Sequence, residues 1–180
     1  QLEKEKRYVQ DCQVETDLDM LIPNDYVNSN DERLLLYRDL DNADNEEELQ
    51  IFKKELTDRF GPMPLEVNEL LYAVRIKWIA TRLGFERIII KGGKLRAYFI
   101  SNPESPYFES PIFQQLMNLV MKDPGLQKRC QIKQSNKYFY LVFAQVKTIR
   151  QGRELLQNME STLTGEAVVA WWSFWILNLL

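Results

Sequence analysis

Phe85-Glu86-Arg87-Ile88-Ile89-Ile90-Lys91-Gly92-Gly93-Lys94-Leu95-Arg96-Ala97-Tyr98-Phe99-Ile100 is the stretch that decides the fold class. Two apolar runs, Arg87 to Ile90 and Leu95 to Ile100, flank an adjacent pair of glycines. Such a pair supplies the positive φ values that a tight antiparallel turn demands, so the stretch reads as a β-hairpin. The alternative for Gly92-Gly93-Lys94 is a phosphate-binding loop. That pattern needs an earlier glycine at fixed spacing and a Ser or Thr after the lysine, whereas Leu95 follows here.

Upstream of the hairpin the apolar period is helical. A long helix begins at Pro64 with Leu70, Leu71, Val74, Trp78 and Ile79 on one stripe, and Gly84 sits where a left-handed C-cap is needed. Before it, a helix from about Glu46 to Phe60 lines up Leu49, Phe52, Leu56 and Phe60 and stops at Gly61-Pro62. A first helix starts near Ser29-Asn30-Asp31, carries Leu34, Leu35, Tyr37 and Arg38 over its turns, and ends in the polar stretch Asp41 to Asn45. Cys12 to Pro23 alternates apolar and acidic residues with the period of a half-buried strand.

Downstream, Pro103 and Pro106 mark a loop and a helix runs from about Pro111 to Met121. A second hairpin joins Cys130–Lys133 to Tyr138–Phe143, and a helix from about Val146 to Met159 comes last. Grouped helices beside hairpin-connected strands predict an α+β fold: a helical subdomain followed by a mostly antiparallel sheet with flanking helices.

Composition removes several function classes. The 180 residues contain no histidine, which rules out histidine-dependent acid–base or triad chemistry. Cys12 and Cys130, the two cysteines, stand far apart with no CxxC pair, which points away from zinc, and their pattern favours reduced, partly buried thiols over a disulfide. Carboxylates such as Asp17 and Asp19, or Glu46, Glu47 and Glu48, suit strand and helix-start charges, since acidic residues favour the positive end of a helix dipole. No catalytic, cofactor-binding or metal-binding residue is expected. With 23 basic against 26 acidic residues, a formal charge of −3 argues against a dedicated polyanion surface. The chain begins at Gln1 without a signal-like segment, as expected of a piece of a longer polypeptide.

The acidic helix is more informative. At about 100° per residue from Glu55, the stripe Leu49, Phe52, Leu56 and Phe60 lies between about 60° and 140°. Ile51 falls near −40°, with Glu47, Glu48, Glu55 and Asp58 at about −80°, 20°, 0° and −60°. An apolar residue inside a fence of carboxylates suits docking to a basic surface. Pattern alone favours an ordinary solvated face over the docking patch and leaves both readings open.

Lys54-Glu55-Leu56-Thr57-Asp58-Arg59-Phe60-Gly61-Pro62-Met63-Pro64 resembles the C-terminal domain of bacterial transcription-repair coupling factors. The likeness takes in Leu21-Ile22-Pro23-Asn24-Asp25-Tyr26, Glu32 to Arg38, Glu46 to Leu49 and Leu83-Gly84, and covers roughly residues 12–160. The resemblance implies a cytoplasmic, ATP-driven DNA translocase acting in transcription-coupled repair. That translocase removes stalled RNA polymerase and recruits UvrA, with ATP, DNA and polymerase handled by other domains.

This domain is then a regulatory, non-catalytic clamp. The resemblance implies that it folds against the UvrB-like N-terminal module of the same polypeptide and masks its UvrA-binding surface. The family contact uses acidic residues that map onto Glu55 and Asp58. Ile51 and Glu48 are added to the interface on geometry alone.

The other reading is an accessory nucleic-acid-contacting domain using Arg75, Lys77, Arg82, Arg87, Lys91 and Lys94. Residues 161–180 depart from the family and carry an apolar run, Ala167 to Leu180, with three of the four tryptophans. At fourteen residues the run is short of the ~20 needed for a membrane span. An appended or altered-frame tail, or a segment packing on the domain or a second copy, fits it better than an anchor.

Overall fold

A computed structural model describes residues 7–165; the apolar run from Ala167 lies outside the described residues. The order of elements is β1 (Gln13–Thr16), α1 (Asn30–Asn42), α2 (Glu46–Phe60), α3 (Leu65–Leu83), β2 (Phe85–Lys91), β3 (Lys94–Phe99), a 3-10 turn (Pro106–Glu109), α4 (Pro111–Lys122), α5 (Pro124–Gln127), β4 (Cys130–Gln134), β5 (Phe139–Ala144) and α6 (Ile149–Thr164). The five strands form one mixed sheet in the order β1-β2-β3-β5-β4. Three pairings are antiparallel and β1 runs parallel to β2, so the expected α+β fold is present.

The hairpin turns on Gly92 (φ 59°) and Gly93 (φ 69°), as their sequence requires. The first strand, by contrast, is four residues long rather than spanning Cys12 to Pro23. Thr16 pairs with Ile90, and one residue beyond, its partner strand enters the glycine turn. The chain then folds locally: the Thr16 hydroxyl accepts from the Leu18 N–H at 3.0 Å and the Asp17 carboxylate accepts from the Gly92 N–H at 3.2 Å.

In the C-terminal half, Pro124 and Gly125 open a short helical turn, which the Asp123 side chain caps by accepting from the Leu126 N–H. The last helix starts at Ile149 instead of Val146. The Val146 N–H donates to Gly93 O, Gln145 has φ 62°, and Thr148 is the N-cap.

Packing explains the two-part architecture. α3, about 28 Å long at 1.5 Å per residue, belongs to both cores. Val67, Leu71 and Val74 join Ile22, Val27, Leu36, Leu40, Leu49, Phe52 and Leu56 in the helical core. Ala73, Ile76, Ile79, Ala80 and Leu83 join the sheet, α4 and α6. On α1 the inward residues are Leu36 and Leu40, while Leu34 and Leu35 are 59% and 56% exposed. α6 crosses the sheet closely at Gly152, where a Cβ would lie 2.7 Å from Ile90 Cδ1. Both thiols are free. Burial pushes Cys12 up to about 12 and Cys130 up to about 11, so neither is a thiolate near neutral pH.

Candidate functional site

The boundaries of α2 follow from its ends. The Asn45 Oδ1 accepts from the Glu48 N–H at 3.0 Å, and Gly61 closes the helix at φ 85° with its N–H on Thr57 O. One side is anchored by Leu49, Phe52 and Leu56, all buried, with Phe60 half-buried against Tyr26. Polar contacts fix the orientation. Arg75 Nε and Nη2 donate to the two Glu46 carboxylate oxygens at 2.8 and 2.6 Å, holding the Glu46 carboxyl below its ordinary range. Tyr26 Oη donates to Gly61 O at 2.8 Å, and Arg59 pairs with Glu32 while lying over the Phe60 ring.

The opposite side of α2 faces solvent. Glu47, Glu55 and Asp58 are exposed, and Ile51 among them is 53% exposed. Among the described residues Glu55 and Asp58 have no ion pair. Lys54 borders the patch at about −100° by helical geometry, a cation beside the carboxylates.

Glu48 is placed differently from its three companions. Its carboxylate accepts from the Asp44 N–H at 2.9 Å and from Asn45 Nδ2 at 2.8 Å, so it closes a reciprocal cap with Asn45. The Asn-x-x-Glu spacing carries that signal in the sequence. Glu48→Ala is therefore expected to destabilise the chain by about 1 kcal/mol in a urea titration, whereas Glu55→Ala is expected to change it by less than ~0.5 kcal/mol.

The basic set does not form a free surface. Arg75 is bound to Glu46, and Lys77 Nζ lies 3.3 Å from Asp11 and 3.0 Å from Asp41. Arg82 is paired with Glu160, and Arg87 Nε is 2.9 Å from Glu15. Lys91 and Lys94 stand exposed at either side of the hairpin turn. Among the described residues no cluster of three or more His, Cys, Asp or Glu is placed to hold a metal, and no helix is long and apolar enough to cross a membrane.

A family model, the TRCF domain, matches residues 16–110, which is more than half of the 180-residue chain and includes all of α1 to α3 and the first hairpin. The chain belongs to the transcription-repair-coupling factor family. A transcription-repair-coupling factor of Rickettsia typhi is 41% identical over 71 residues, 39% of this chain and 6% of that protein. One from Staphylococcus epidermidis is 38% identical over 86 residues, covering 48% and 7%, and one from Borreliella burgdorferi is 31% identical over 109 residues, covering 59% and 10%. Each match thus spans a tenth or less of the curated relative's length. The crystal structure of the C-terminal domain of a transcription-repair coupling factor superposes with a TM-score of 0.65 at 21% identity. The match covers 86% of this chain and 94% of that one, which establishes a shared fold for this part of the family.

Proposed function

We propose that this chain is the non-catalytic, regulatory domain of a transcription-repair coupling factor, and that α2 docks it onto the UvrB-like module of the longer polypeptide. The supporting observation is the exposed Glu55 and Asp58, without an ion pair among the described residues, beside exposed Ile51 on a helix whose other side is locked into the core. Rigidly presented carboxylates around an apolar anchor lose little entropy on binding and fit an arginine-bearing surface.

In this reading the docked domain covers the surface that UvrA would bind and is a gate on repair. ATP hydrolysis, DNA translocation and displacement of RNA polymerase belong to other domains of a cytoplasmic protein. Adding UvrA to a complex of this chain with the UvrB-like module tests masking. UvrA is expected to displace the chain in size-exclusion chromatography, and a stable ternary complex would show that the two partners use separate surfaces.

A further inference from the structure

All packing helices of the described chain that share a core with the sheet lie on the side of Ile88, Ile90, Leu95, Leu141 and Phe143. The register places a different row on the opposite face: Gln13, Arg87, Tyr98, Tyr140 and Lys133 stand side by side across all five strands. Three of these form a column. The Arg87 guanidinium lies 5.3 Å from the Tyr98 ring centroid, and Tyr98 stacks on Tyr140 with centroids 4.6 Å apart and an 18° interplanar angle.

Because the Tyr140 ring faces Tyr98 across the strands, its second face points toward edge strand β4. There its register partner is Lys133, whose side chain is exposed. The column is open at that end.

Charge on this face runs against the rest of the chain. Arg87, Lys91, Lys94, Arg96, Lys133 and Lys137 stand against Glu15 and Asp17, with Asp11 and Glu86 lining the hollow beside Arg87, Tyr98 and Lys137, in a chain of net charge −3. Lys137 lies 5.4 Å from the Tyr138 ring, which packs edge-on against Tyr98. Among the described residues Arg96, Lys133 and Lys137 have no ion pair.

We infer that this open sheet face binds single-stranded nucleic acid, a base extending the Arg87–Tyr98–Tyr140 column on the free face of Tyr140 and phosphates meeting Arg96, Lys133 and Lys137. Single strands take both features together, since unpaired bases present π-faces to aromatic rings while the backbone follows cations. An acidic polypeptide would use the cations and leave the open ring face unused. A duplex has its bases already stacked. The face is separate from α2, so the inference stands apart from the regulatory reading.

The test is fluorescence anisotropy with a labelled dodecathymidylate and the full chain at low salt. Binding is expected to weaken with salt at a slope of about −2, for three phosphates neutralised at ~0.7 each. Tyr140→Leu, which keeps apolar bulk without a ring, is expected to weaken binding about tenfold, and Tyr140→Phe is expected to restore it. Joint Lys133→Glu and Lys137→Glu is expected to flatten the salt slope. Circular dichroism of each variant checks that the fold is kept. Absence of binding at low salt would overturn the inference. So would equal affinity of Tyr140→Leu and Tyr140→Phe, equal affinity for a duplex of the same length, or competition by polyglutamate as effective as by unlabelled oligonucleotide.

Discussion

Gly84→Ala is expected to unfold much of the population at physiological temperature. Gly84 ends α3 at φ 91°, a conformation that costs a residue with a Cβ roughly 1–2 kcal/mol. Space is a harder limit. A Cβ there would lie 2.1 Å from Tyr107 Cε2, 2.2 Å from Cζ and 2.5 Å from Oη. The Tyr107 ring is fully buried, with Tyr8, Phe99, Phe108 and Phe113 around it, and its hydroxyl donates to Leu83 O at 2.6 Å.

Moving the ring therefore breaks a buried hydrogen bond, at ~1–3 kcal/mol, and overpacks the core, at a further ~1–3 kcal/mol. The sum, on the order of 3–8 kcal/mol, is a large share of the usual ~5–15 kcal/mol. Differential scanning calorimetry should show Tm falling by more than about 10 °C. Adding Tyr107→Leu should return part of the loss, because it removes the atoms that clash. Independent, additive losses from the two changes would show that the ring is not what Gly84 accommodates.

The second large effect concerns function and leaves the fold alone. Glu55→Lys with Asp58→Lys changes two exposed side chains that have no ion pair to lose among the described residues, so Tm should move by no more than a few degrees. In the proposed docked state the same two reversals set lysines against arginines. Like charges brought together at an interface cost several kcal/mol, a loss of a hundredfold or more in affinity. The full-length factor carrying both changes is expected to capture UvrA without any further trigger. Failure to capture UvrA above the parent level would detach masking from this face.

The parts of the fold that were legible in the sequence are those set by local chemistry. The glycine pair at 92 and 93, the stop of α2 at Gly61, and the left-handed end of α3 at Gly84 each need one residue type at one place, and each stands where it was expected. What was not legible depends on partners distant in sequence. β1 ends where β2 turns away, which no alternation within Cys12–Pro23 could disclose. The Tyr98–Tyr140 stack joins two hairpins through the β3–β5 register, and the sequence alone does not give strand order.

The acidic face divides in the same way. Helical geometry placed Ile51, Glu55 and Asp58 together and exposed, as found, but Glu48 is drawn back to the helix start by the Asp44 and Asn45 donors. The neutralisation of Arg75, Lys77, Arg82 and Arg87 by Glu46, Asp41, Glu160 and Glu15 likewise needs the tertiary fold, since the partners lie 29, 36, 78 and 72 residues away in sequence.

The most direct test of the proposed role of α2 is a calorimetric titration of the UvrB-like module into this chain, run in parallel with the Glu55→Lys, Asp58→Lys chain. Saturable binding to the parent that weakens as salt is raised, and no detectable heat with the doubly reversed chain, is the expected result. Equal affinity for the two chains would contradict it.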